Sequence, residues 1–394
     1  MEKNKNRLYF IDAMRAWAIL MMLQGHFIDG LLADAFRDNS NVFYNIWKYF
    51  RGITAPIFFT VSGFIFTYLL IKVPQKGFDN PRIIKGIRRG LQLVFIGYLL
   101  RSNIFGLLQG KIYSAFLLVD VLHCIGLSIL GIIAIYLLTS KSKKWLLPSV
   151  FVCATLLLFA FEPLYKTANF AALPNAIANY FSKANGSVFT IIPWFGYTSF
   201  GAFISVHFYR YRENMQLYSY AIPIAAIAGL LLIFTSSPLF SWLYTITNIE
   251  LFNAITLNNY LFIRLGDVLV AFALFMLARK YVLQTTFLRI GQNTLSIYVI
   301  HFIILYGSFT GLGLYRFFNH ALSPVVVIFG ALAFMISCSY LALLYDTHEA
   351  TIKSKLAIVQ KQLWRFIETT AVILQRILKV VFTKTLQVLG LAKN

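Results

Sequence analysis

Cysteine and acidic residues are both scarce in this sequence. The three cysteines, Cys124, Cys153 and Cys338, lie far apart in apolar stretches without a CxxC pair, which argues against a disulfide framework or a zinc site. The sequence has only 14 acidic residues but 35 lysines and arginines, which gives a formal net charge of +21. In an apolar chain this balance indicates basic cytoplasmic loops and contact with anionic lipids. We therefore expect neither a metal nor a nucleic-acid partner.

Charged residues of either sign are also rare. They make up 12% of the 394 residues, whereas 59% are hydrophobic and the mean hydropathy is +0.71. A soluble globular domain of this length does not have such a composition, so the sequence predicts an all-α polytopic membrane protein. No internal repeat supports an inverted-repeat transporter. Apolar runs predict ten transmembrane helices: 9–33, 52–71, 86–108, 115–138, 145–161, 188–208, 217–238, 260–279, 288–311 and 322–345.

The placement of lysine and arginine predicts which side each loop faces. With ten spans and a cytoplasmic N-terminus, 25 of the 35 fall in inside segments, seven fall outside, and Arg15, Arg101 and Arg264 fall within spans. This bias follows the positive-inside rule. We therefore predict a multi-pass protein of the inner (cytoplasmic) membrane, with both termini in the cytoplasm. The first apolar run is expected to be a retained span rather than a cleaved signal.

The last 46 residues differ from the rest of the chain. Between Leu356 and Val381, apolar residues recur at helical spacing among lysines and arginines. We predict a ten-helix domain over 1–348 and a basic amphipathic cytoplasmic helix over 349–394. This helix either lies in the plane of the membrane surface or packs on the cytoplasmic face of the bundle.

The first span carries ionisable side chains where they are costly. An ionisable residue within a membrane span suggests a functional role, because a charge near the bilayer centre is costly. This span contains Asp12, Arg15, His26 and Asp29. Arg15 and His26 are eleven residues apart. Three helical turns place them on one face, about 16 Å apart along the axis. His26 is the candidate general base or acyl-carrying nucleophile, and Asp29 the candidate to hold its tautomer. The alternative is a histidine that only bonds a neighbouring helix.

Two further sets of charges lie at the ends of the next spans. Lys85, Arg88 and Arg89 open the third span and suit the phosphates of a cofactor, although ordinary positive-inside anchoring explains them as well. Arg101 and Asp120 fall in the same outer layer, where opposite charges are expected to pair.

The eighth and ninth spans add three more candidates. Arg264 and Asp267 are one turn apart near an outer helix end, where they either bind an acceptor or only pair with each other. His301 lies in the middle of the ninth span and is either structural or cavity-lining.

Several stretches together resemble the membrane acyltransferases. They are Arg15-x10-His26, PIFFTVSGF in the second span, RRG at the start of the third, and LRIGQNTLSIYVIHFIILYG in the ninth. That superfamily includes the acyltransferase 3 proteins and the heparan-α-glucosaminide N-acetyltransferase-like proteins. VDVLHCIGLSILG at 119–131 and VFTIIPWFGYTSFGAFIS at 188–205 are more similar to the second branch.

The resemblance implies a reaction across the membrane. A cytoplasmic acyl-CoA, with acetyl-CoA expected, donates its acyl group to a hydroxyl or amine of a glycan or glycolipid on the outer side. The transfer is either direct or passes through an acyl-histidine. The rival hypothesis is a transporter or flippase of glycan-lipids or small molecules that performs no chemistry.

The resemblance also implies roles for particular residues. It places the family's catalytic histidine at His26 and its arginine at Arg15, with Asp29 beside them. The expected acyl-CoA contacts are Arg15, Lys85, Arg88 and Arg89. The expected acceptor contacts are Arg101, Asp120, Arg264, Asp267 and His301.

Overall fold

The computed structural model describes residues 8–168, 170 and 172–388. Within this part of the chain every regular element is a helix, so the predicted all-α fold is confirmed. The longer helices are, in chain order, α1 Tyr9–Leu31, α2 Val42–Ile71, α3 Pro81–Arg101, α4 Val121–Thr139, α5 Leu146–Ala160, α6 Ile191–Arg210, α7 Leu217–Thr247, α8 Glu250–Leu257, α9 Tyr260–Ala278, α10 Thr285–Gln292, α11 Thr294–Tyr306 and α12 Pro324–Val388.

Short helical turns connect several of the long helices. The α-helical ones are Ile104–Leu108, Glu162–Lys166, Asn175–Ala178 and Leu314–Phe318. The 3-10 turns are Asp34–Phe36, Gly77–Asp79 and Ser114–Leu117.

Among the described residues, five helical segments are long and apolar enough to cross a bilayer, or six if the bent pair α10–α11 is one span. They are Val42–Ile71, Ser114–Thr139, Leu217–Thr247, Tyr260–Ala278 and Pro324–Lys355. The chain is therefore a multi-pass membrane protein. Each predicted span overlaps a long helix or the bent pair, but α5 has only 15 residues and α1 and α3 carry several charges. The count of ten spans stays a prediction.

Local sequence signals explain where the site helices begin. Asn41 accepts hydrogen bonds from the backbone of Phe43 and Tyr44 at the start of α2. Asn80 caps α3, whose first residue, Pro81, needs no backbone donor. Asp120 starts α4 in a capping box with a side chain one turn later.

The tightest crossing in the bundle joins α2 and α6. A methyl group at Gly63 would collide with the backbone oxygen of Thr198, and one at Gly201 would collide with that of Thr60. Small residues let membrane helices approach closely, because lipid provides no hydrophobic drive for their association. This contact fixes the middle of α2 against α6.

The ninth predicted span is broken in the structure. Helices α10 and α11 meet at Asn293 with a bend of 73°. The guanidinium of Arg15 donates to the Thr294 hydroxyl at 2.9 Å, which ties α1 to the first residue of α11. A break at membrane depth is tolerated where it is buried in protein or lines a cavity.

The chain divides into two compact units, Met1–Ala342 and Leu343–Asn394. The backbone of the second unit is helical to Val388. Most side chains after Lys355, including Leu356 and Phe366, lie outside the described ones. The amphipathic surface helix therefore stays a prediction.

Candidate active site

Described residues of the first compact unit enclose two cavities beside the predicted site residues of α1. The larger, here called the His26 cavity, has a volume of 960 Å³ and also contains Asp29, Arg51 and Arg101. The smaller, here called the Arg15 cavity, has a volume of 310 Å³. The two residues that the sequence places on one face of α1 therefore lie in different cavities.

The two cavities adjoin at three shared side chains. Phe58 of α2, Val121 of α4 and Tyr298 of α11 line both of them. The space beside Arg15 and the space beside His26 are therefore neighbours, with these three side chains at their common boundary.

The His26 ring is held from one side by α11. The Tyr306 hydroxyl lies 3.1 Å from Nδ1 of His26, and the ring of His301 packs edge-on with a centroid distance of 5.3 Å. Tyr306 is the last residue of α11, because Gly307 ends the helix in the left-handed conformation. With Nδ1 occupied, the nitrogen of His26 left for the cavity is Nε2.

Asp29 has different partners from the one that the sequence predicts. Its carboxylate lies 2.6 Å from the Arg51 guanidinium and 3.7 Å from that of Arg37. Among the described residues, the hydrogen-bond partner of His26 Nδ1 is the Tyr306 hydroxyl instead. Gly25 explains the difference, because the Arg51 chain passes 3.3 Å from the position of a Cβ there and reaches Asp29.

The Arg15 cavity has a cationic wall. Lys85 and Arg89, two of the predicted acyl-CoA contacts, line it together with Arg15 and Arg82. Arg88 is exposed and is not among the lining residues. Helix geometry gives the reason: positions 82, 85 and 89 share one face of α3, whereas position 88 is turned away by about 100° from position 89.

Sequence reasoning missed Arg82 and Tyr306. Arg82 precedes the predicted third span, which begins at residue 86, although its spacing of three and seven residues from Lys85 and Arg89 indicates one helical face. Tyr306 is 280 residues from His26, and its only signal was its place in the LRIGQNTLSIYVIHFIILYG stretch.

The charges at the end of α3 and the start of α4 form a pair. Arg101 and Asp120, both in the His26 cavity, lie 3.2 Å apart, as expected for opposite charges in one layer. Asp120 also lies 3.0 Å from the His123 ring. Arg101 and Asp120 are therefore fixed parts of the cavity wall.

Of the three remaining predicted acceptor contacts, one lines the His26 cavity and two are buried behind its wall. Arg264 lines the His26 cavity and pairs with Asp267 at 2.9 Å, and Asp267 also accepts a hydrogen bond from Tyr49 at 2.6 Å. Asp267 and His301 are buried and are not among the lining residues. In this structure Asp267 therefore holds Arg264, and His301 packs behind His26.

Comparison with known families gives a match over most of the chain. The family described as "Heparan-alpha-glucosaminide N-acetyltransferase, catalytic" matches residues 7–247. The chain belongs to this family. The suspected resemblance is thereby confirmed at the level of an acetyltransferase family. A search among curated proteins found no match.

The family match covers the part of the chain that carries most of the site. It includes the Arg15 and His26 positions of α1, the basic face of α3 and the pair formed by Arg101 and Asp120. Arg264 and Tyr306 fall after the matched range. The structure brings these later residues to the same cavity as the matched ones.

Proposed function

We propose that this protein transfers an acyl group, with acetyl expected, from cytoplasmic acyl-CoA to an acceptor at the outer side of the membrane. The acceptor is a hydroxyl or amine of a glycan or glycolipid. The Arg15 cavity receives the nucleotide part of acyl-CoA, and the His26 cavity receives the acceptor. Both termini and the basic face of α3 are on the cytoplasmic side of the inner membrane.

One observation carries this proposal: the two cavities share Phe58, Val121 and Tyr298. Arg15, Arg82, Lys85 and Arg89 supply guanidinium and ammonium groups that bind phosphate well. The rise of a helix separates Arg15 and His26 by about 16 Å, a distance that the extended arm of a bound acyl-CoA is suited to span. The thioester would then arrive beside His26 when the shared rings move apart.

His26 is the base in this scheme. When Nδ1–H donates to the Tyr306 oxygen, the lone pair of Nε2 is free to take the proton of the acceptor hydroxyl or amine. The acceptor oxygen or nitrogen attacks the thioester carbon, the new bond forms, and the C–S bond breaks. The CoA thiolate leaves and recovers the proton from the imidazolium. An acyl-His26 intermediate would use the same nitrogen as nucleophile.

Radiolabelled acetyl-CoA tests this proposal. Purified protein in lipid nanodiscs is incubated with it and with a glycolipid extract of the source cells, and CoA release and label transfer are measured. His26→Ala should lower transfer by about 10²–10⁴-fold, the usual contribution of a general base. His348→Ala, at an exposed position in the second unit, is the matched control. A transporter would release no CoA and would not depend on His26.

A further inference from the structure

The His26 cavity has an unusual balance of charge. Its lining contains two carboxylates, Asp29 and Asp120, and five cations: Lys48, Arg51, Arg101, Lys183 and Arg264. The predicted topology leaves only ten lysines and arginines outside the cytoplasmic segments. Half of these ten therefore line this one cavity, and basic residues of the outer face are concentrated there.

Two of the five cations are neutralised within the wall. Arg101 pairs with Asp120 at 3.2 Å, and Arg264 pairs with the buried Asp267 at 2.9 Å. Arg264 also lies 4.4 Å from the centre of the Tyr49 ring. These arginines are fixed by partners within the protein, so they contribute shape and hydrogen bonds more than net charge.

In the described part of the chain, the other three cations have no buried carboxylate partner. Arg51 pairs with Asp29 at 2.6 Å, but these side chains are 37% and 39% exposed, and Arg37, which also lies near Asp29, has a closer carboxylate in Asp34 at 3.2 Å. The Lys48 ammonium donates to the neutral Asn39 amide oxygen at 3.1 Å. Among the residues that the structure describes, neither Lys48 nor Lys183 forms an ion pair with a carboxylate.

These three cations are arranged around the accessible part of the cavity. Lys48 and Arg51 are one turn apart on α2, and Lys183 belongs to the loop before α6. Both lysines are exposed, and the Arg51 side chain is 37% exposed. A ligand that binds these side chains would disturb no buried ion pair, because the pair of Arg51 and Asp29 is 37% and 39% exposed.

We propose that Lys48, Arg51 and Lys183 form a binding site for an acidic group, a carboxylate or phosphate, carried by the acceptor. This inference rests on the proposed function and narrows its acceptor class. A neutral sugar would gain only ordinary hydrogen bonds at these side chains, whereas an acidic group gains charge-assisted ones. A cavity with low-dielectric walls also concentrates ligands of opposite charge. The acidic group comes either from the sugar itself or from a phosphate that links the sugar to lipid.

Binding of matched probes tests the site without the need for turnover. The sugar-acid pair is methyl β-glucoside and methyl β-glucuronide, and the lipid-phosphate pair is citronellyl glucoside and glucosyl citronellyl phosphate. Affinities are measured by calorimetry on protein in nanodiscs of neutral lipid. We expect the acidic member of at least one pair to bind about tenfold tighter, with the preference weakened by salt. The pair that shows the preference identifies the source of the acidic group.

Substitutions locate the effect. Lys48→Gln combined with Lys183→Gln should reduce binding of the acidic probe about tenfold and leave the neutral probe unchanged. Lys48→Arg combined with Lys183→Arg keeps the charge and should keep the preference. Lys111→Gln removes an exposed outer lysine that is not among the cavity-lining residues. It is the matched control.

Two results would overturn the site. The first is equal affinity for the neutral and acidic probes in both pairs. The second is a loss of acidic-probe affinity in Lys111→Gln as large as that in the double variant. The proposed function fails separately, through an absence of acetyl-CoA binding or of dependence on His26. An acidic preference without acetyl-CoA binding would indicate a carrier for an anionic solute.

Discussion

The Tyr306 hydroxyl lies 3.1 Å from Nδ1 of His26, although the two residues are 280 positions apart. This contact joins the last residue of α11 to the C-terminal half of α1. It fixes the ring through one nitrogen and leaves the other for the cavity. Tyr306 is therefore the residue that we expect to position His26.

Replacing Tyr306 tests this positioning directly. Tyr306→Phe keeps the ring that packs on His26 and removes only the hydroxyl. We expect kcat to fall about tenfold, the effect of one lost buried hydrogen bond, with little change in the KM for acyl-CoA. Steady-state kinetics with acetyl-CoA measures both constants. An unchanged kcat in a folded variant would show that the hydroxyl does not orient the histidine.

Asp29→Asn distinguishes the observed contact of Asp29 with Arg51 from the predicted contact of Asp29 with His26. The carboxylate contacts Arg51 and Arg37, so its loss should leave the bond between His26 and Tyr306 in place. We expect kcat to fall less than in Tyr306→Phe, while the affinity for an acidic acceptor changes because the Arg51 guanidinium is freed. The same kinetic assay compares the two variants. If Asp29→Asn proves the more damaging of the two, the carboxylate acts on the histidine after all.

The basic face of α3 should control acyl-CoA binding. Arg82→Gln, Lys85→Gln and Arg89→Gln each remove a cation from the Arg15 cavity, and each should raise the KM for acetyl-CoA by about fivefold to tenfold. Arg88→Gln makes the same change one position away from that face and should have little effect. Equal effects at all four positions would indicate ordinary membrane anchoring in place of a phosphate site.

The layer between the two cavities should restrict water as well as acyl-CoA. Phe58 lines both cavities, so Phe58→Ala should join them and let water reach the thioester. We expect a several-fold rise in CoA release without acceptor. Leu69→Ala truncates an apolar side chain that lines only the Arg15 cavity and serves as the control. Release that stays at the wild-type rate in Phe58→Ala would mean that the ring does not close the passage.

Much of the fold followed from the sequence because membrane helices have simple requirements. Apolar length located the long helices, and helix periodicity placed Arg15 and His26 on one face of α1. Charge in the same layer predicted the pair formed by Arg101 and Asp120, which the structure contains. These inferences needed only local geometry and the cost of a charge in lipid.

Other features depend on contacts that the sequence does not encode locally. Whether Asp29 meets His26 or Arg51 depends on the packing of α2 across Gly25. The break at Asn293 divides an apolar run that reads as one span, because hydropathy does not record backbone direction. Tyr306 lies at the end of the helix that follows this bend, and its contact with His26 crosses 280 positions of sequence.

Photochemical crosslinking of the acyl group is the most direct test of the central claim, that the thioester of bound acyl-CoA arrives beside His26. An acyl-CoA with a diazirine in its acyl chain is bound, irradiated and mapped by mass spectrometry. Label should appear on the α1 segment that contains His26 or on α11 near Tyr306, and at a probe concentration below the KM it should be weaker in Arg82→Gln. Label confined to the cytoplasmic loops, or label on α1 that does not depend on Arg82, would contradict the account.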